Sequence, residues 1–254
     1  MHMSRRLLFA SACWEVARPR TALNAGHLLI RLTNPAMAFD LRSATDWLHC
    51  HNTARQALAE VLGAGRCTVM FAHQWHPIGA AIGEPEAESS TPTFHVFGRW
   101  DAEPVTPGEQ LRLPVQRRVP AAAEELSEYD GGLRTALRRL AVARPAEPVP
   151  PVEGTLPELT ARTPNFKAGA HHTVLAPALP PAPGRPGLTP GHLLALAAAV
   201  EGLAARPGVT GLSCVVPEPG PGGLEVHAMG RSAGESRNPM QEFLDLPKVS
   251  QALL

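Results

Sequence analysis

One short pattern occurs twice in this chain and constrains its fold more than any other feature: HVFGR at His95 to Arg99 and HAMGR at His227 to Arg231. Each copy closes a similar run of segments. In the first, GHLLIRL (Gly26 to Leu32) is an apolar run of strand length that ends on the turn signals Asn34 and Pro35. DLRSATDWLHCHNTARQALAEVLGAG then reads as a helix, with Ser43 as its N-cap and Asp46 in its first turn. Trp47, Leu48, Ala54, Leu58, Val61 and Leu62 recur near a helical period until Gly63 stops it. CTVMFAH follows as a strand, then the loop PIGAAIGEPEAE and the strand TPTFHVFGRW. EQLRLPVQRRV reads as an added edge strand, and EELSEYDGGLRTALRRLAVA as a second helix.

The order then returns. GAHHTVLAP takes the place of GHLLIRL, aligning Gly169 with Gly26. TPGHLLALAAAVEGLAA is the helix, with Thr189 as N-cap and Pro190 at the first helical position, where its missing N–H costs nothing. VTGLSCVV answers CTVMFAH, and GLEVHAMGR answers TFHVFGRW. An internal duplication accounts for this economically. Between the halves, residues 143–164 carry spaced prolines suited to an extended connector, giving an N-terminal unit at 1–142 and a C-terminal unit at 165–254.

Charge narrows the partners. Lys+Arg and Asp+Glu number 23 each, so no field of one sign favours nucleic acid or an anionic membrane. The four cysteines, Cys13, Cys50, Cys67 and Cys214, form no CxxC pair, which points to reduced thiols in a cytoplasmic protein. The opening MHMSRRLLFASACWEVARPR has an apolar run, but Glu15 and Arg18 interrupt it before a signal peptide or membrane span develops. The expectation is a soluble monomer or homodimer with a small-molecule substrate and no cofactor.

The strands GHLLIRL and TPTFHVFGR together resemble the histidine-triad (HIT) superfamily, whose signature is a GHxLVIPK strand followed by an H-x-H-x-H strand. Two such units in one chain are similar to the galactose-1-phosphate uridylyltransferase and diadenosine-tetraphosphate phosphorylase branch. The resemblance implies an α+β fold of two tandem HIT-like units, with antiparallel sheets, helices packed on one face and an approximate two-fold relation. It also implies a nucleotide or sugar phosphate as ligand. In the family the middle histidine attacks phosphorus to form a nucleotidyl-histidine. Here Thr91 and Thr93 stand at the first two motif positions and only His95 is kept; in the second unit the corresponding residues are Gly223, Glu225 and His227.

Strand alternation places Thr91, Thr93, His95 and Phe97 on one face, the expected pocket wall. His73 and His76, at the end of the preceding strand, are candidates to join His95 and Thr93 in acid–base chemistry, since histidine titrates near neutrality. Thr91, Trp75, Arg99 and Arg31 are candidate ligand contacts, with no metal site expected. His27 reads as a hydrogen-bonded sheet histidine, His49 and His51 as exposed or capping, and at most one of His171 and His172 can line a second pocket. Glu84, Glu86 and Glu88 would repel a polyphosphate, implying a less anionic ligand or a lid turned to water. Three functions fit: a divergent HIT-like hydrolase or transferase lacking the histidine nucleophile, a catalytically silent nucleotide- or protein-binding module, and a specialised-metabolism enzyme using the fold for non-phosphoryl chemistry.

Overall fold

The computed structural model describes residues 6–73, 82–86, 92–101, 103–143, 156–179, 188–218, 223–246 and 248–250. Its strands are β1 (Arg6–Ala10), β2 (Trp14–Arg18), β3 (His27–Leu32), β4 (Arg66–His73), β5 (Thr93–Arg99), β6 (Leu159–Arg162), β7 (His171–Pro177), β8 (Val209–Val216) and β9 (Val226–Ser232). The helices are α1 (Leu41–Leu62), α2 (Pro107–Leu111), α3 (Ala123–Ala143), α4 (Pro190–Ala204) and α5 (Pro239–Leu244). All the strands pair antiparallel in one sheet, ordered β1-β2-β3-β5-β4-β8-β9-β7-β6. The fold is α+β. Read outward from the β4–β8 pair, β5 and β3 on one side answer β9 and β7 on the other.

Two expectations change here. The halves do not form separate sheets: β4 pairs with β8 from Val69↔Val216 to His73↔Leu212, which makes the sheet continuous. Four residues of the expected connector, Leu159–Arg162, pair with β7 as an edge strand. The long helices α1, α3 and α4 cover one face. On it Trp14, Leu28, Ile30, Val69 and Val96 pack with α1 and α3, and Leu175, Cys214, Val226 and Ala228 pack with α4. The other face is partly covered by the short α2 and α5, whose Leu111, Met240, Phe243 and Leu244 meet Met70, Phe97, Val215 and Met229.

Local chemistry explains most element ends. α1 is capped by Asp40, not Ser43; Ser43 is the third helical residue, and the two exchange side-chain-to-backbone hydrogen bonds as a capping box. Gly63 closes the helix in the left-handed region at φ 67°. EQLRLPVQRRV does not form an edge strand. Thr106 and Glu109 make a second capping box with Pro107 in the first turn, starting α2, and a 3-10 turn follows at Val115–Arg117. β1 and β2 fall in the opening stretch because Glu15 and Arg18 find partners within the fold: Glu15 with Arg31 on β3, and Arg18 with Asp130 on α3. The four cysteines are unpaired and buried. Among the described residues no helix is long and apolar enough to cross a membrane.

Gly26 and Gly98 bring two backbones together beside the site. A Cβ on Gly26 would lie 2.9 Å from Gly98 Cα, and Gly98 N donates to Gly26 O at 3.0 Å. Gly230, which corresponds to Gly98, faces His171 in the same way, with an added Cβ 2.8 Å from His171 Cβ. The structural counterpart of Gly26 is therefore His171 rather than Gly169, and His27 corresponds to His172. Gly26→Ala is expected to destabilise the fold by about 1–3 kcal/mol through this backbone clash. Gly65→Ala, exposed with nothing near its Cβ position, should change little. Denaturant melts of the two variants provide the check.

Candidate functional site

Sheet register gathers the histidines on the face opposite the long helices. His95 pairs with Leu29 on β3 and Met70 on β4; Met70 pairs with Val215, Val215 with His227, and His227 with Val174. Directly opposed residues share a face, so this is one row in which two histidines flank the Met70–Val215 centre. Each has a second histidine beside it. His27 Nε2 lies 3.0 Å from His95 Nδ1, and His172 Nε2 lies 3.2 Å from His227 Nδ1.

The backbone fixes the direction of both hydrogen bonds. Leu23 N–H donates to His27 Nδ1 at 3.1 Å, and Ala168 N–H donates to His172 Nδ1 at 3.0 Å. A neutral ring that accepts at Nδ1 carries its proton on Nε2, so tautomers follow from the network. His27 and His172 donate; His95 and His227 accept at Nδ1 and hold their own protons on Nε2. Among the described residues neither of those Nε2–H groups has a protein acceptor.

Burial keeps these rings uncharged. His27 is 1 % exposed, and desolvation, His95 and Arg18 hold its pKa well below the ordinary histidine value. Desolvation brings His95, 9 % exposed, down to about 4. His172 is brought to about 4 by burial and by His227. His227, partly exposed, is lowered by burial against the opposing pull of Glu225. Neutral imidazole donors are thus present at pH 7.

The other expected site residues divide. Thr93 lies on the His95 face, half-buried and paired across the sheet with Arg31. Thr91, Trp75 and His76 lie outside the described residues. His73 does not join His95: it is an odd number of positions from Met70, so alternation turns it to the helix face, where Nε2 lies 2.9 Å from Glu201 on α4. Arg31 and Arg99 are engaged by carboxylates, Arg31 by Glu15 and Arg99 by Glu103, with Arg99 Nε at 2.6 Å. Neither is a ready anion partner. His51 is not a surface residue or cap; its ring stacks on Trp47 with centroids 5.0 Å apart.

Sequence reasoning underrated His27, which is a hydrogen-bonded sheet histidine, but one bonded to His95. Its signal was positional: a histidine opens the strand paired with each HxxGR strand. Glu84 is a correction. It is buried, not turned to water, and accepts a short hydrogen bond from Ser213 on the histidine face.

No family's sequence profile matches the chain, and no curated protein sequence matches it. Among solved structures it is similar to a Hit-like protein involved in cell-cycle regulation from Bartonella henselae, whose structure holds an unknown ligand. The two are 14 % identical with a TM-score of 0.37, over 53 % of this chain and 88 % of that one.

Proposed function

We propose that this chain is a tandem HIT-like module that binds a nucleotide-like or phosphorylated small molecule through neutral histidine donors, without forming a histidine-bound intermediate. The observation that carries the reading is the relay from Leu23 N–H through His27 to His95. A nucleophilic imidazole needs a lone pair aimed at the ligand. On His95 one nitrogen accepts from His27 and the other bears a proton. Freeing Nε2 would require His27 to flip tautomer as well, setting its Nδ1–H against the Leu23 N–H and leaving buried donors unpaired at about 1–3 kcal/mol. The same occupied lone pair cannot serve as a base for the Thr93 hydroxyl. What His95 offers is a fixed N–H for an acceptor such as a phosphate oxygen, and the likeness of the two strands to the HIT signature supports that ligand class.

The test is calorimetric titration with AMP and with glucose 1-phosphate, alongside intact-mass analysis. Binding is expected to weaken about tenfold in His95→Phe, the loss of roughly one hydrogen bond to a charged acceptor. No adduct is expected in the mass spectrum. A phosphoryl or nucleotidyl adduct mapped to His95 or Thr93 would overturn the reading.

A second reading, acid–base hydrolysis or transfer, draws on Glu84, whose carboxyl burial raises to about 7 and which meets Ser213 on the histidine face. Steady consumption of either probe, abolished in Glu84→Gln, would favour it.

A further inference from the structure

We propose a second ligand site, in the C-terminal half at His227, which takes the same phosphate-bearing class of small molecule; it rests on the reading of His95 given above. The relay there is built from the same parts: Ala168 N–H to His172, and His172 to His227, at 3.0 and 3.2 Å. Both relays fix the outer ring as an Nε2–H donor on the same face. Three inter-strand spacings separate His95 from His227, about 14 Å, enough for two small ligands side by side.

The surroundings of His227 add what an anion needs. Two residues before it, where the first half has Thr93, stands Glu225, paired at 2.6 Å with Arg162 on the edge strand β6. Both side chains are about half exposed, at 49 % and 42 %, so the pair is screened and weakly held. Arg162 pairs with Val174, and Val174 with His227, so the arginine lies in the same cross-strand row as the His227 ring. An incoming phosphate can accept from His227 Nε2–H and draw the Arg162 guanidinium from Glu225, which turns to water. Phe243 of α5, with its ring 4.9 Å from that of His227 and 5.5 Å from that of His172, backs the relay with apolar surface. In the first half the corresponding place is held by Ala17, which pairs with Leu29 beside His95 as Arg162 pairs with Val174 beside His227.

Calorimetric titration of the full chain with AMP, repeated with inorganic phosphate, tests this. Two sites per chain are expected. His227→Phe should weaken one of the two about tenfold, and Arg162→Ala, at a half-exposed position on the edge strand, should weaken the same one about five- to tenfold while sparing the other. His95→Phe should retain the site that Arg162→Ala weakens. A single wild-type site that is weakened in His95→Phe and indifferent to Arg162→Ala overturns the second site and leaves the first standing. Absence of any binding to the wild-type chain overturns both.

Discussion

Glu84→Gln is expected to stabilise the protein by about 3 kcal/mol at pH 8 and to make little difference near pH 4.5. Glu84 is 7 % exposed and pinned on several sides: its carboxylate meets Ser213, its carbonyl accepts from Arg118 Nη1 at 2.8 Å, and the neighbouring Ile82 carbonyl accepts from Asn238 Nδ2 at 3.1 Å. Burial raises its pKa from 4.5 to about 7, outweighing the hydrogen bonds of Ser213 and Asn238 and the charges of Arg231 and Arg118. A raised acid binds its proton more tightly in the folded state. Its contribution is therefore intact below pH 4.5, falls as the unfolded chain ionises first, and is fully lost above about pH 7. Glutamine cannot ionise and escapes that loss.

The histidines titrate with the opposite sign over an overlapping window. His95 and His172 fall from 6.5 to about 4, so the unfolded chain takes up protons that the folded chain refuses. Stability is lost as pH drops from 6.5 towards 4, by about 3 kcal/mol per ring. In the wild type, Glu84 gains stability over much of the interval in which one histidine loses it, and flattens the profile. Glu84→Gln removes the offset and should leave a steeper acid limb. Urea denaturation from pH 4.5 to 8 measures both curves; if they run parallel, the buried carboxyl does not titrate as described.

What could be read from the sequence was chiefly what is decided within a few residues. Thr189–Pro190 at the start of α4 and Gly63 at the end of α1 act through their own turn, and each lies where the sequence puts it. The Thr106–Glu109 box is equally local but was masked by the alternation in LRLPV, which imitates a strand. β1 and β2 were obscured because a charge inside a strand is tolerated only when a distant partner exists, and Arg31 and Asp130 are far along the chain. The site shows the same division. The facing of Thr93 and His95 follows from alternation alone, but the His27–His95 bond depends on β3 lying beside β5 in a register that sets His27 against Phe97. The position of His73 at the end of the strand beside β5 suggested it as a partner for His95; alternation along β4 excludes it.

The largest single-residue loss is expected at Asp130, far in sequence from any histidine. Its carboxylate accepts from Arg18 Nε at 3.0 Å and Nη2 at 2.8 Å, with the two side chains 0 % and 4 % exposed. Arg18 Nη1 donates in turn to the carbonyls of Ala25, at 2.7 Å, and His27, at 2.8 Å. One guanidinium thus joins β2, α3 and the backbone that carries the first relay histidine. Asp130→Ala removes the carboxylate from a buried ion pair, and removal of one partner from such a pair costs about 3–5 kcal/mol. Asp130→Asn, which keeps an acceptor but not the charge, should cost less. Replacing both partners with apolar residues, Arg18→Met with Asp130→Leu, should restore much of the stability because no charge is left buried. It should not restore ligand affinity at His95, since the His27 carbonyl loses its anchor whether or not the core is well filled. Denaturant melts and AMP titrations of the single and double variants separate the two effects: recovery of both together would mean that Arg18 contributes packing alone, and an Asp130→Ala loss below about 1 kcal/mol would mean that the cation finds another partner.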